Sequence, residues 1–281
     1  MMSQFTGKRI LITGAASGIG RLMAEELAAQ GAELVLWDIN QHPLELLCKT
    51  LLSNGQQASA YTCNLSNREE IQKSAMKVLK RQGAIDILIN NAGIVSGKPL
   101  LDNSDQEIEE MFNVNVLAGI YLIRAFLPTM MERQTGHIVF VASAAALCGS
   151  PKLVVYSATK YALRGVEEAL RLEIKHLGYN IKTTIVFPFY FNTGLFAGAK
   201  SRFPLLLPIM SPEKVARRII KAVQLGQSRV FIPRFVYLAL LAKILPVGIF
   251  DTLLAFFGIN RSMDEFRGRS EKPDDTDRPL R

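Results

Sequence analysis

The sequence is poor in the residues that build disulfide frameworks and metal sites. It has three cysteines, an odd number without a CxxC pair, and three scattered histidines. We therefore expect neither a disulfide framework nor a metal site. The sequence also lacks an apolar run of the roughly 20 residues that a membrane-spanning helix needs. Its polar start, MMSQFTGKR, does not resemble a secretion signal, so we expect a cytoplasmic protein that is not secreted.

Acidic residues are scarce in one region, and this imbalance accounts for the net charge of +8. Residues 1–195 hold 18 basic and 17 acidic side chains, whereas residues 196–250 hold 9 basic and 1 acidic. Residues 251–281 hold 6 basic and 7 acidic side chains. The basic stretch alternates with apolar runs and contains no recognised nucleic-acid motif. It therefore favours a lipid surface or the rim of an apolar pocket over nucleic acid as a partner.

Short apolar runs alternate with longer helical periods over residues 8–232. The strand-like runs are 9–13, 33–38, 58–62, 85–90, 137–142, 182–187 and 229–232. The helical periods are about 19–30, 42–54, 67–82, 105–132, 153–177 and 212–225. Strands this apolar are buried on both faces, and regular alternation with helices indicates a parallel sheet. We predict an α/β Rossmann fold, a doubly wound parallel sheet of seven strands, with an apolar helical C-terminal appendage.

A glycine-rich turn follows the first predicted strand. It reads Gly14-Ala-Ala-Ser17-Gly18-Ile19-Gly20 and leads directly into a helical period. Glycines permit a tight turn and a close approach of the backbone to a pyrophosphate, and the positive end of the helix dipole favours the anion. Many strand–helix loops contain glycine, so this turn alone is weak evidence for a dinucleotide.

An acidic residue, Asp38, ends the second predicted strand, 24 residues after Gly14. A carboxylate at this point can accept both hydroxyl groups of an adenosine ribose and would repel a 2′-phosphate. Neither Ser17 nor Ile39 is a basic residue that could hold such a phosphate. The sequence therefore favours NAD over NADP as the cofactor, the alternative being an ordinary strand-end aspartate that faces solvent.

Tyr156 and Lys160 lie four residues apart in a helical period, so both side chains fall on one helix face. A neighbouring ammonium group favours phenolate and lowers a tyrosine pKa that is ordinarily near 10. Tyr156 could then act as a general acid/base near neutral pH. Ser143 and the run Asn90-Asn91-Ala92-Gly93 follow two other strands, at the sheet edge where ligands bind in such folds.

These segments together resemble the short-chain dehydrogenase/reductase family over residues 7 to about 232. The matching pieces are TGAASGIG (13–20), NNAG (90–93), Asn115, Ser143, YSATK (156–160) and Pro188 with Thr193. The resemblance implies that Tyr156 exchanges a proton with the substrate oxygen and that Lys160 lowers its pKa and holds the nicotinamide ribose. Ser143 would hydrogen-bond the substrate oxygen, and Asn115 would hold a water that links Lys160 to solvent.

The same resemblance implies a set of cofactor contacts. One departure from the family pattern is Asn64-Leu65, where an aspartate often precedes the apolar residue, although an amide oxygen can still accept from adenine. The expected cofactor-binding residues are Gly14, Ser17, Gly18, Ile19, Gly20, Asp38, Asn64, Leu65, Asn91, Ala92, Gly93, Tyr156, Lys160, Pro188, Phe191 and Thr193.

Longer strings are similar to the retinol and 17-beta-hydroxysteroid dehydrogenases of microsomes and lipid droplets. These strings include LVLWDIN (34–40), NVLAG (115–119) and NTGLF (192–196). The resemblance implies a lipophilic alcohol or carbonyl as substrate and a homodimer formed through helices 105–132 and 153–177. The hydrophobic N-terminal anchor that is usual in animal relatives is expected to be absent here.

An apolar segment after Pro188, about 189–211, predicts a substrate lid that includes Phe189, Phe196 and Phe203, the alternative being an ordinary core cap. Residues 233–266 combine apolar residues with cations, which predicts a peripheral contact with an anionic membrane or lipid droplet, a dimer contact or a cap on the sheet. We thus expect a catalytic domain over 1–232, an appendage over 233–266 and a frayed polar tail over 267–281.

The leading function is an NAD-dependent oxidoreductase that acts on a lipophilic alcohol. Two alternatives stay open at this point: a reductase of small ketones or acyl-carrier-bound oxo groups, and a catalytically silent dinucleotide-binding scaffold. The acidic Asp38 disfavours the first, because such reductases usually prefer NADP, and the intact Ser143, Tyr156 and Lys160 disfavour the second.

Overall fold

The computed structural model describes residues 4–268, and over this range it contains a seven-stranded parallel sheet. The strand order is β3-β2-β1-β4-β5-β6-β7. The strands are β1 (Arg9–Thr13), β2 (Glu33–Asp38), β3 (Gln57–Thr62), β4 (Ile87–Asn90), β5 (Gly136–Val141), β6 (Ile181–Pro188) and β7 (Arg229–Ile232). The fold predicted from the alternating pattern is confirmed, and each strand boundary lies within two residues of its expected position.

Helices cover both faces of the sheet. They are α1 (Gly18–Ala29), α2 (Gln41–Ser53), α3 (Arg68–Gln82), α4 (Asp105–Phe112), α5 (Ala118–Glu132), α6 (Val154–His176), α7 (Pro212–Gln224), α8 (Leu238–Ala242) and α9 (Val247–Phe256). Successive strand residues point to opposite faces, so Ile10 and Ile12 join one buried cluster and Leu11 joins another. Burial on both faces explains why the strands appear in the sequence as continuous apolar runs.

The predicted helix 105–132 consists of α4 and α5 joined by a five-residue π-helical segment, Asn113–Leu117. By length and composition this continuous stretch is apolar enough to cross a membrane, which the sequence expectation missed because polar residues interrupt its apolar run. In the structure its apolar face, with Leu122, Ile123 and Phe126, is buried in the core cluster. Such burial is typical of the core helix of a soluble domain.

The sheet has a topological switch point between β1 and β4. From β1 the chain runs outward through β2 and β3, and from β4 it runs in the opposite direction through β5, β6 and β7. The loops at the carboxyl ends of β1 and β4 therefore diverge and leave a crevice. This crevice is the position where open parallel sheets bind ligands.

The appendage packs its inner side on the sheet domain. Val236 and Ile259 belong to the core cluster, and Met263 is buried against the residues around Tyr156. Its outer side is apolar and exposed at Leu241, Ile244, Val247 and Ile249, with Ile244 83% and Val247 75% exposed. Most of the predicted polar tail, residues 269–281, lies outside the described range.

Candidate active site

A cavity of about 280 Å³ opens at the carboxyl ends of the central strands. It brings together every cofactor-binding residue expected from the sequence, from Gly14 to Thr193. Ser143, Phe189 and Phe196 line it as well, whereas Asn115 lies outside its lining. The glycine loop and the Tyr156–Lys160 pair thus share one space.

The glycine loop forms a cradle that only glycine fits. Gly14 has a φ of +65°, and a Cβ added to Gly20 would overlap the carbonyl group of Gly14. Helix α1 begins at Gly18, so its first backbone N–H groups lack partners within the helix. This backbone geometry and the dipole of α1 suit the pyrophosphate of a dinucleotide.

Asp38 is buried at the end of β2 and fastens the glycine loop. Its Oδ2 accepts a hydrogen bond from the Ala16 amide at 2.9 Å, and its Oδ1 accepts from the Asn40 amide at 2.9 Å. Its Oδ1 also accepts from the Asn40 side-chain amide at 3.1 Å. A carboxylate offers about four acceptor positions, so about one, on Oδ2, remains for a ribose hydroxyl. Among the described residues that line the cavity, Lys160 is the basic one. It hydrogen-bonds a carbonyl group of β5, which lies three strands away from β2. No basic lining residue in that set is placed to receive a 2′-phosphate beside Asp38.

Asn91 joins the ends of β1 and β4. Its Nδ2 donates to the Thr13 carbonyl at 2.9 Å, and Thr13 Oγ1 accepts from the backbone amides of Asn91 and Ala92, each at 3.0 Å. Asn91, one of the expected cofactor-binding residues, therefore also ties the two loops on either side of the crevice together. Asn64 lines the same crevice, but its Oδ1 already accepts two hydrogen bonds from Ser66, at 2.9 and 2.8 Å. Both lone pairs are used, so a contact of this oxygen with adenine is disfavoured.

Three of the four predicted catalytic side chains, Ser143, Tyr156 and Lys160, lie near the carboxyl end of β5. Tyr156 and Lys160 are both buried on α6, and Lys160 Nζ lies 5.5 Å from the centre of the Tyr156 ring. Lys160 Nζ donates to the Val141 carbonyl at 3.1 Å. Ser143 caps a 3-10 turn at 144–146, where its Oγ accepts from the Ala145 amide at 3.1 Å, and it lines the same cavity as Tyr156.

Burial shifts both titratable groups toward their neutral forms. It raises the pKa of Tyr156 above its ordinary value, an effect opposed by the nearby Ser143 and increased by Tyr190. It also lowers the pKa of Lys160 to about 8. In the protein alone, burial therefore dominates the Tyr156 pKa, and the expected lowering of that pKa by Lys160 stays a prediction. At pH 7 Lys160 still carries its charge.

Asn115 is buried in the π-helical segment, and its amide group is almost fully occupied. Its Oδ1 accepts from the Ile94 amide at 2.8 Å, and its Nδ2 donates to the Ile94 carbonyl at 2.9 Å and to Thr159 Oγ1 at 3.0 Å. One lone pair of the amide oxygen remains for a water molecule. The Asn115 side chain thus links the segment at Ile94, which follows β4, to Thr159 of α6. Thr159 is the neighbour of Lys160 in the sequence.

The aromatic residues of the predicted lid separate into two groups. Phe196 is buried and packs edge-on against Tyr156, with ring centres 5.6 Å apart. Phe203 does not line the cavity; it packs on Phe256 and Phe257 at 5.3 and 5.8 Å. Phe203 is thus packed on the appendage, and its role in a substrate lid stays a prediction.

Some cavity residues were missed by sequence reasoning. Tyr190 was assigned only to the general apolar stretch after Pro188, and nothing near Ser150 or Ile259 in the sequence marks them as neighbours. The missed lining residues that bear on substrate are Glu110, Cys148, Ser150, Leu153, Tyr190 and Ile259. Within residues 4–268, no group of three or more His, Cys, Asp and Glu side chains could hold a metal ion.

The family model and the similar known proteins all indicate the same family. The model of the family described as short chain dehydrogenase matches residues 8–202. Epidermal retinol dehydrogenase 2 of Homo sapiens is 40% identical over 271 residues, covering 95% of this chain and 87% of the relative. Estradiol 17-beta-dehydrogenase 11 of Homo sapiens is 41% identical over 243 residues, covering 86% and 80%.

Solved structures have the same fold. A short chain dehydrogenase/reductase from Burkholderia phymatum in complex with NAD has a TM-score of 0.75 at 27% identity, over 86% of this chain and 93% of that one. A metagenomic short-chain oxidoreductase in complex with NADP has a TM-score of 0.70 at 27% identity, over 82% and 98%. The cavity therefore belongs to an enzyme that uses a nicotinamide nucleotide on CH–OH groups, and the chain is a member of the short-chain dehydrogenase/reductase family.

Proposed function

We propose that this enzyme interconverts a lipophilic alcohol and its carbonyl compound with NAD as the cofactor and Tyr156 as the general acid/base. One observation carries the proposal: a single cavity is lined by the glycine loop and Asp38, by Ser143, Tyr156 and Lys160, and by aromatic lid residues. A nicotinamide nucleotide bound there supplies the hydride acceptor or donor.

In this scheme the protein side chains transfer the proton of the substrate and position the substrate oxygen. During oxidation the Tyr156 oxygen accepts the proton of the alcohol, and during reduction it returns a proton to the carbonyl oxygen. Ser143, which lines the cavity with Tyr156, holds the substrate oxygen by a hydrogen bond. The charged Lys160 favours the phenolate form of Tyr156 and binds the ribose next to the nicotinamide, and Asn115 keeps the adjoining Ile94 segment in place. Exclusion of water strengthens each of these interactions.

The preference for NAD rests on Asp38. Its buried carboxylate would repel a 2′-phosphate, and the neighbouring lining residues supply no cation to offset that charge. We expect kcat/KM with NAD to exceed that with NADP at least 10-fold, and Asp38→Asn to reduce this ratio. Comparable efficiency of the wild type with both nucleotides would contradict the proposal.

A lipophilic substrate is supported by the cavity wall and by the relatives. Phe189, Tyr190, Leu195 and Phe196 form an apolar wall beside Tyr156. The relatives are named for retinol and estradiol, both of which are large apolar alcohols. A panel of retinol, estradiol, long-chain alcohols and small ketones, assayed with NAD and NADP, tests the choice. Turnover of small ketones alone would favour the alternative reductase, and NAD binding without any turnover would favour the silent scaffold.

We further propose that the outer side of the appendage touches an anionic membrane or lipid droplet from the cytoplasmic side. Exposed Ile244 lies between α8 and α9, next to Lys243 in the sequence, and exposed Val247 is the first residue of α9. Apolar side chains can enter the lipid boundary while cations meet headgroups. Flotation with phosphatidylserine-containing liposomes should be lost in Ile244→Ser/Val247→Ser. It should be kept in the control Leu101→Ser, whose side chain is 95% exposed outside this segment. Equal flotation of all three proteins would contradict the contact.

A homodimer through the helices at 105–132 and 153–177 also remains a proposal. Exposed apolar residues on these helices, Phe112 and Leu172, would be covered by a second copy. Light scattering after gel filtration should give twice the chain mass. A monomer at micromolar concentration would contradict it.

A further inference from the structure

The C-terminal segment 259–267 closes one wall of the cavity. Ile259 lines the cavity directly, and Met263 is buried in the cluster that holds Tyr156, Tyr190 and Phe196. This segment lies more than 100 residues after the catalytic pair in the sequence, yet it completes the surroundings of the catalytic tyrosine. The cavity wall is therefore made by two distant parts of the chain.

The segment is fastened to the loops on both sides of the cavity. Lys152 Nζ donates to the carbonyls of Met263 and Asp264 at 3.3 and 3.1 Å. On the lid side, the Lys200 amide donates to the Ser262 carbonyl at 2.9 Å, and the Arg267 amide donates to the Ala197 carbonyl at 2.8 Å. Movement of the segment would therefore disturb both the 148–152 loop and the lid.

Ser262 connects this segment to a second tyrosine in the cavity wall. Its side chain is 3% exposed, and its Oγ lies 3.0 Å from the hydroxyl of Tyr190, which is 8% exposed. Ser262 Oγ also donates to the Ile259 carbonyl at 2.8 Å. A carbonyl can only accept, so the serine proton is used there, and Tyr190 must donate to Ser262. As long as Tyr190 donates to Ser262, its hydroxyl proton is not available for a hydrogen bond to the substrate.

Tyr190 in turn supports the lid above the catalytic tyrosine. Phe196 packs edge-on against both tyrosines, with ring centres 5.3 Å from Tyr190 and 5.6 Å from Tyr156. Phe189 packs on the other side of Tyr190 at 4.6 Å. The position of the Tyr190 ring therefore sets how much room the apolar part of a substrate has beside Tyr156.

We infer that Tyr190 is a specificity-determining residue, held in place by the positioning residue Ser262, and that the pair forms the wall against which the apolar part of the substrate packs. The inference rests on the proposed function in that it assigns the substrate class of the same site. It favours alcohols with an extended apolar chain over small alcohols, since the former bury more apolar surface against this wall.

The test compares dodecan-1-ol with propan-1-ol in the full-length protein. Ser262→Ala and Tyr190→Phe each remove the Tyr190–Ser262 hydrogen bond, and loss of one buried hydrogen bond predicts about a 5- to 10-fold rise in KM for dodecan-1-ol. We expect the Kd for NAD to change less than about twofold, and the KM for propan-1-ol to rise less than the KM for dodecan-1-ol. The double variant should be no worse than either single variant, because both remove the same bond. Tyr121→Phe, a half-buried tyrosine on α5 outside the cavity lining, is the matched control.

Calorimetric titration of dodecan-1-ol into the NAD-bound protein separates this inference from the proposed function. Dodecan-1-ol that binds without being oxidised, with a Kd weakened 5- to 10-fold in both variants, would remove the proposed oxidation and support the specificity wall. The inference is overturned by an unchanged Kd and KM in both variants, by equal effects on propan-1-ol, or by a wild type that does not bind dodecan-1-ol. A Kd for NAD that also weakens more than about threefold would show a general loss of structure and would likewise overturn the specific role.

Discussion

Lys160 Nζ lies 5.5 Å from the ring centre of Tyr156, one helical turn away, and donates its hydrogen bond to the Val141 carbonyl at the end of β5. The ammonium group is thus held by the sheet rather than by the phenol. Under the proposed mechanism its charge favours the phenolate form of Tyr156, since Coulombic effects are strong in a water-poor space. Burial by itself favours a neutral tyrosine.

Lys160→Met should therefore move the pH dependence of alcohol oxidation. Without the cation the phenolate is harder to form, so we expect kcat/KM at pH 7 to fall about 100-fold or more and its rise with pH to shift to higher pH. The measurement is kcat/KM between pH 6 and 10. Lys175→Met, an exposed lysine on the same helix, serves as the control. An unshifted profile in Lys160→Met would show that the ammonium does not act on Tyr156.

Tyr156→Phe should separate chemistry from binding. The ring and its edge-on contact with Phe196 remain, so the fold and NAD binding should persist, but no oxygen remains to exchange the proton. We expect turnover to fall at least about 10²- to 10⁴-fold, with the Kd for NAD changed less than threefold. Stopped-flow hydride transfer and fluorescence titration measure the two effects. Near-normal turnover in Tyr156→Phe, judged against Tyr179→Phe, would contradict the assignment.

The sequence was sufficient for the sheet and the cofactor crevice because both are specified locally. Strands that are buried on both faces appear in the sequence as short apolar runs. The tight turn of the cofactor loop appears as closely spaced glycines. The wall built by Tyr190 and Ser262 left no such pattern, since a contact across 72 residues has no periodicity of its own. The packing of Phe203 on Phe256 and Phe257 was not predictable for the same reason, since an aromatic residue in an irregular loop does not indicate which distant surface it will meet. Asn115 was found by resemblance, but its bonds to Ile94 became visible only in three dimensions.

Substitution of Gly20 tests whether NAD binding depends on the close backbone packing of the glycine loop. A Cβ at Gly20 would overlap the Gly14 carbonyl, a backbone group that cannot move without opening the loop. Gly20→Ala should therefore weaken NAD binding at least 10-fold and lower the melting temperature. In the matched variant Gly165→Ala, on α6, an added Cβ meets nothing within 4 Å. This control should be stabilised by about 0.5–1 kcal/mol, because alanine restricts the unfolded chain and favours the helix. Unchanged NAD binding by Gly20→Ala, in calorimetry, would contradict the cradle.

His137 should make stability depend on pH in the acid range. Its ring is buried on β5, and burial, with a smaller contribution from Lys182, lowers its pKa to about 4 from an ordinary value near 6.5. Thr184 Oγ1 donates to the Gln227 carbonyl at 2.7 Å, so it accepts from His137 Nε2, which lies 2.8 Å away and carries the proton of the neutral ring.

Between pH 6.5 and 4 the unfolded chain binds a proton at His137 that the folded protein does not, so the free energy of unfolding falls as the pH falls. The His137 contribution amounts to about 3 kcal/mol between pH 7 and 4. Urea unfolding of wild type and His137→Gln over this range measures it. The variant should lose stability at pH 7 but show a flatter pH dependence, whereas His42→Gln, an exposed histidine on α2, should follow the wild type. Parallel pH profiles for wild type and His137→Gln would show that the histidine is charged in the folded protein.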